Sequence, residues 1–219
     1  MTQQVFSRLT ALDGVYMARH GKLHSMAFGL RDGSLCLYSP VAGLERSGLE
    51  SLSEFGKVSA LLAPNHYHNK GLKGHADALP KASLVCSDAA EPRLKKVTGL
   101  AFQPLGTLAP RLAQNHRFLQ PEGLKTGEVW VQIETAAEVA WMVTDAFSAG
   151  VHPPGVWTET PEMLGTFPRY GVKDTSIFKD WVREHVAEAR PTILLSCHGS
   201  PVRAPDLGAR LVGLLENSL

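Results

Sequence analysis

The chain has 219 residues, of which 44% are hydrophobic and 20% charged, and its formal net charge is +1. This composition is typical of one α/β domain with a substantial core, and the charge gives no reason to expect a nucleic-acid or membrane-surface partner. No apolar run approaches the ~20 residues that cross a bilayer, and residues 1–5 show no secretory leader, so we expect a cytoplasmic protein. The three cysteines lie in apolar runs, which favours reduced, buried thiols.

The first half of the chain predicts a hairpin followed by alternating helices and strands. Gly33 suits the positive φ of a turn between two of the strands. In chain order, the predicted elements are strands at 15–18, 25–30 and 34–38, a helix at 44–55, a strand at 58–63, a helix at 71–79, a strand at 83–86 and a helix at 88–96. Apolar strands that alternate with helices predict sheets covered by helices.

The second half begins with residues 98–123, which contain three prolines and no clean period and are expected to be mostly loop. Residues 128–134 alternate polar and apolar side chains, which predicts a half-exposed strand. The remaining predicted elements are an apolar strand at 138–144, a long loop at 150–165, an amphipathic helix at 176–189, a buried strand at 192–197 and a helix at 206–215.

Three of the apolar strands end at residues that can bind a metal ion. His66 and His68 follow the strand at 58–63, Asp145 follows the strand at 138–144, and His198 follows the strand at 192–197. Neutral imidazole nitrogens bind Zn²⁺ at roughly 2.0–2.1 Å, and carboxylate oxygens bind it at similar distances. Because strand ends hold side chains rigidly, this recurrence predicts one shared site.

Three segments, together with the order of the elements, resemble the metallo-β-lactamase superfamily. They are residues 64–71, which read P-N-H-Y-H-N-K-G, residues 143–146, which read V-T-D-A, and residues 196–199, which read S-C-H-G. Members of that family carry an H-x-H-x-D-H loop, a later histidine, a bridging aspartate and a final histidine before a glycine. The resemblance covers most of the chain. It implies a single domain over residues 1–219, folded as a four-layer αββα sandwich of the α/β class.

Residue by residue, the match to the family's ligands is partial. His66 and His68 match the first two histidines, Asp145 the bridging aspartate, and His198 the final histidine. The resemblance therefore implies one Zn²⁺ or Fe²⁺ ion bound by these four residues. A second metal is not expected, because its site would keep only Asp145 and His198 and a protonated Lys70 would repel a nearby cation.

The missing ligands lie at identifiable positions. Lys70 stands at the motif's aspartate, Gly71 stands at its last histidine, and residues 124–127 contain no middle histidine. A protonated lysine has no lone pair to offer a metal. His75 and His116 are the other histidines that could replace a missing ligand.

The function that these residues predict is metal-dependent hydrolysis of a small-molecule ester, thioester, lactone or amide. Asp145 would bind the metal or accept a proton from the attacking water, and Lys70 would stabilise a developing oxyanion.

Other interpretations of the same residues stay open. His66 and His68 could be ordinary loop histidines, and Asp145 could cap a turn. In a metal-free, non-catalytic binding or regulatory domain, Lys70 and Asp145 would form an ion pair. A homo-oligomer, in which residues 150–165 reach a neighbouring chain, is a further alternative.

Overall fold

The computed structural model of the protein describes residues 4–219, and the chain divides into two compact units, one ending at Gln114 and the other spanning 115–219. No helix within the described residues is long and apolar enough to cross a membrane. All three cysteines are free and buried, as predicted.

In the first unit, seven strands of the described residues form one sheet in chain order. The first four are antiparallel neighbours, and the last four are parallel. They are β1 (Ser7–Arg8), β2 (Val15–His20), β3 (Leu23–Gly29), β4 (Leu35–Tyr38), β5 (Val58–Leu62), β6 (Ser83–Cys86) and β7 (Gln103–Pro104). Because parallel strands need crossover connections, helices link the last four: α1 (Ser47–Leu52), α2 (Leu72–Ala78) and α3 (Glu91–Thr98).

The sequence predicted most of this unit, including the β3–β4 hairpin with Gly33 at φ +79°. The first helix is shorter than predicted. Leu44 belongs to a turn closed by a hydrogen bond from its N–H to the Val41 carbonyl, and α1 begins three residues later. Leu44 is buried from that turn, so its apolar character reflects the core and not the helix.

The second unit contains a five-stranded sheet, a two-stranded sheet and three helices within 115–219. Its elements are β8 (His116–Leu119), β9 (Trp130–Glu134), β10 (Val139–Val143), β11 (Ser148–Ala149), β12 (Pro161–Glu162), α4 (Phe167–Gly171), α5 (Thr175–Ala189), β13 (Ile193–Ser196), β14 (Val202–Arg203) and α6 (Leu207–Ser218). The five-stranded sheet has the order β14-β13-β10-β9-β8, in which only β10 and β13 are parallel.

Two predictions for the second half of the chain were wrong. Residues 98–123 were expected to be mostly loop, but β7 and β8 lie there, and β8 is the edge strand beside β9. The strand at 128–134 was expected to be half exposed, but Gln132 is 1% exposed and its Oε1 accepts a hydrogen bond from the Trp141 indole at 3.0 Å. An alternating pattern predicts an exposed face only when the polar side chains find no partner inside the protein.

Candidate metal centre

Asp145 and His198 are brought together by the pairing of two parallel strands. Val143 at the end of β10 lies opposite Ser196 at the end of β13, so residues two positions further along each strand emerge side by side. Asp145 Oδ1 and His198 Nε2 are 2.9 Å apart. Their side chains are only 13% and 22% exposed. This pair, which the sequence placed at strand ends, therefore presents a carboxylate and an imidazole at one point.

The Ser196 side chain fixes the backbone around His198 through two hydrogen bonds. The Ser196 hydroxyl donates to the Phe147 carbonyl at 2.6 Å and accepts the His198 N–H at 3.0 Å. Gly199 follows with φ +88°, and a Cβ at this position would lie 1.9 Å from the Ala149 carbonyl oxygen. The glycine after the final histidine is thus required by a close backbone approach.

Glu128 holds the backbone around Asp145. This side chain is 2% exposed, and its Oε1 accepts hydrogen bonds from the backbone N–H groups of Thr144, Asp145 and Ala146 at 3.2, 3.1 and 3.3 Å. The same oxygen accepts the Trp130 indole N–H at 2.8 Å. Burial and then the nearby Asp145 charge raise the pKa of Glu128 to about 7, although these hydrogen bonds oppose the shift. Glu128 carries no recognisable signal in the sequence, because an acidic residue before an alternating strand is typical of an exposed surface.

The loop that carries His66 and His68 is organised by its own side chains. Asn65 is fully buried, and its Oδ1 accepts the N–H groups of Tyr67 and His68 at 2.8 and 3.0 Å. The Asn69 side-chain amide donates to the His66 carbonyl at 2.8 Å. Such short-range bonds from asparagine are typical of Asx turns, which a Pro-Asn sequence predicts.

Each histidine of this loop has a defined neighbour in the first unit. The His66 ring is 8% exposed and meets the Tyr67 ring edge-on, with 4.4 Å between centroids. His68 Nδ1 lies 2.8 Å from the Ser39 hydroxyl, and Ser39 is buried at φ +54°. Metal-binding histidines usually use one ring nitrogen for the metal and the other for such a contact. The sequence offered no signal for Ser39.

Backbone packing explains why Gly71 stands where the motif has a histidine. A Cβ at Gly71 would lie 2.2 Å from the Pro40 carbonyl oxygen and 2.6 Å from the Ala42 nitrogen. With this backbone, no side chain fits there. Leu124, in the region of the missing middle histidine, packs against the apolar core of the second unit. Packing therefore accounts for the absence of a histidine at Gly71 and at Leu124. The neighbouring Lys70 is exposed.

The two histidines considered as replacement ligands have other contacts. His75 is 1% exposed in α2, and its Nδ1 bonds with the Gly71 carbonyl at 2.9 Å. Burial lowers the pKa of His75 below its usual 6.5. His116 lies in β8 with Nδ1 2.9 Å from the Asn115 side-chain oxygen, and burial lowers its pKa to about 4. Burial of His75 beside Gly71 favours a structural role for that residue.

The residues present fit the metal that the resemblance implies. Asp145 and His198 are part-buried and close enough to share an ion, and nitrogen and oxygen donors suit zinc or iron. His66 and His68 belong to the first unit, and Asp145 and His198 to the second. Assignment of all four as ligands stays a prediction.

Comparisons with known proteins agree on the architecture. No protein-family model and no curated protein matches the sequence. Among solved structures, a metallo-β-lactamase from Erythrobacter litoralis superposes with a TM-score of 0.65 at 16% identity, covering 97% of this chain and 96% of that one. The metallo-β-lactamase FIM-1 from Pseudomonas aeruginosa, in its mono-zinc form, gives 0.65 at 12% identity over 97% and 94%. The flavodiiron protein of Giardia intestinalis gives 0.63 at 14% identity over 95% and 58%.

Likeness at such low identity establishes the fold. The predicted α/β fold class is confirmed by two main sheets with helices and by these neighbours. The chain has the metallo-β-lactamase fold, with an incomplete set of that fold's metal-binding residues.

Proposed function

We propose that the protein is a divergent member of the metallo-β-lactamase superfamily and a mononuclear metal-dependent hydrolase. The observation that carries the proposal is the Asp145–His198 pair, held at 2.9 Å by separately anchored strand ends. The mono-zinc form of FIM-1 supports one zinc ion on this fold, and the flavodiiron neighbour keeps iron open as the metal.

In this proposal His66, His68 and His198 would bind the ion, and Asp145 would either be the fourth ligand or act as the base. A bound divalent cation supplies a water of lowered pKa and polarises the scissile carbonyl. Where Asp145 does not bind the ion, it would accept the proton that the attacking water releases, and its Oδ1 lies 2.9 Å from His198 Nε2, at the point where the ion would be held. Lys70, whose side chain is exposed, offers its ammonium to the developing oxyanion of a small ester, thioester, lactone or amide.

The test is the metal content of purified, untagged protein and of a His66→Ala/His68→Ala double variant. We expect about one equivalent of zinc or iron in the wild type, removed by a chelator, and none in the double variant. His20→Ala, which removes an exposed histidine of β2, is the matched control and should keep the metal. A double variant that retains full metal content would refute the ligand assignment.

A metal-free binding domain is the second candidate, and one observation favours it. Asp145 and His198 form a hydrogen bond with each other, so each side chain would have a polar partner in a protein that binds no metal. Wild-type protein that takes up no zinc or iron from excess metal would favour this function. Hydrolysis of a screened ester, thioester or lactone that requires metal would exclude it.

A further inference from the structure

Glu128 is an unusual residue to find at the base of the Asp145 turn. Burial of a carboxylate is costly unless hydrogen bonds replace its water. Here one oxygen, Oε1, receives four N–H groups, from Trp130 and from three consecutive backbone amides of the turn, residues 144–146. The bonds to the turn span 16 to 18 residues of sequence.

Convergence of three successive amides on one atom restricts the backbone dihedrals of the turn. Asp145 is the middle residue, so the direction of its Cα–Cβ bond is set by this convergence. Its carboxylate consequently reaches His198 at 2.9 Å. We infer that Glu128 is the positioning residue of the candidate metal centre, acting through the turn to aim Asp145 at His198. The inference rests on the proposed function and adds a residue to it.

Gln132 provides a comparison for the indole contact of Glu128. Its neutral side chain accepts the Trp141 indole N–H at 3.0 Å, donates to the Glu134 carboxylate at 2.7 Å and is as deeply buried as Glu128. Glu128 likewise accepts the Trp130 indole N–H, and it also accepts backbone N–H groups of the Asp145 turn. The two residues therefore form a matched pair, equal in burial and in indole contact, and different in contact with the backbone of Asp145.

The experiment compares Glu128→Met, which keeps the volume but removes the acceptor, with Glu128→Gln and the control Gln132→Met. Affinity for Zn²⁺ alone is measured by calorimetry on untagged, metal-depleted protein. Hydrogen exchange of the Thr144, Asp145 and Ala146 amides is measured by NMR without metal. We expect Glu128→Met to weaken zinc binding by roughly 10- to 100-fold and to speed exchange at the three amides.

The controls separate positioning from general stability. Glu128→Gln, which retains an acceptor, should recover most of the affinity and protection, and Gln132→Met should change neither. Glu128→Asp keeps the carboxylate on a shorter side chain that cannot reach the turn, and it should resemble Glu128→Met. If Glu128→Met does not fold, Glu128→Asp takes its place in the comparison.

Two results would overturn the inference: unchanged affinity and amide protection in the Glu128 variants, or equal losses in Gln132→Met. Wild-type protein without zinc affinity would refute the proposed function instead. In that case hydrogen exchange at the three amides still tests the role of Glu128. Faster exchange in Glu128→Met that is restored in Glu128→Gln supports positioning of Asp145, and unchanged exchange contradicts it.

Discussion

The two candidate ligand-bearing segments are held in different ways. Residues 65–69 are organised by asparagines inside the segment, which bond to backbone groups two or three residues away. The Asp145 turn is organised by Glu128, and His198 is fixed by its own strand and by the close approach of Gly199 to Ala149. The backbone N–H groups of the first segment are therefore held by an asparagine inside it, whereas those of the Asp145 turn are held by a side chain 16 to 18 residues away. The difference teaches that the backbone around a candidate ligand can be fixed either by a neighbouring side chain or by one distant in the sequence.

The largest effect is expected for Gly71→His, two residues beyond the first segment, which restores the last histidine of the motif. Its Cβ would overlap the Pro40 carbonyl, so we expect a loss of about 4 kcal/mol in the free energy of unfolding and no gain of metal. Gly106→His, at a glycine with open space around it, should cost within about 0.5 kcal/mol. Urea unfolding and elemental analysis measure both. A Gly71→His variant that is as stable as the wild type and binds more metal would show that the backbone near Gly71 can move to accommodate a side chain.

Gly199→Ala tests the tertiary anchor in the second segment. Its Cβ would collide with the Ala149 carbonyl and its φ is +88°, so we expect a loss of about 3 kcal/mol or more. Gly155→Ala has a similar φ of +82° but nothing within 4 Å, and should cost only about 1 kcal/mol. Equal losses in urea unfolding would mean that dihedral strain, and not the contact with Ala149, requires Gly199.

Asn65→Ala tests the local anchor. It removes the acceptor for two N–H groups of a buried turn, and we expect a loss of about 1–2 kcal/mol in the free energy of unfolding. Asn65→Asp keeps the acceptor oxygen and should recover much of that loss. If Asn65→Ala costs nothing, residues 66–68 are held by long-range contacts after all, and the contrast between the segments disappears.

His75, in the helix α2 that follows the first segment, should make the free energy of unfolding depend on pH. Burial lowers its folded-state pKa below the unfolded value of 6.5, so the unfolded chain takes up the proton first. Its contribution to stability is complete above pH 6.5 and is lost as pH falls from there toward the folded-state pKa. His75→Gln should therefore flatten the acid side of the stability profile, measured by urea unfolding on both sides of pH 6.5. An unchanged slope would contradict this assignment.

Ser39 provides the smallest and most specific test. Both Ser39→Ala and Ser39→Gly remove the hydroxyl beside His68 and should weaken zinc binding by roughly tenfold. The glycine variant also relieves φ +54° and should be more stable than the alanine variant by about 1 kcal/mol. Thermal unfolding and zinc calorimetry together separate these effects. Full zinc affinity in both variants would show that Ser39 does not orient His68.

Particular elements show how far sequence reasoning reached. The buried apolar strands β5, β10 and β13 and the amphipathic α5 were predicted close to their observed bounds, because burial imposes a strong pattern on them. The edge strand β8 was missed, since its side chains are half-buried and mixed in character. The hairpin of β11 and β12 was missed because each strand is only two residues long.

The sequence by itself determined the strand ends at which His66, His68, Asp145 and His198 lie, and the loss of the motif's other ligands at Lys70 and Gly71. These features are local, and a ligand motif or an apolar run reports them directly. Only the tertiary structure decided that Asp145 meets His198, that Glu128 holds the turn that carries Asp145, and that backbone atoms exclude a side chain at Gly71. Those facts depend on strand register and on contacts between distant residues, which no local pattern encodes.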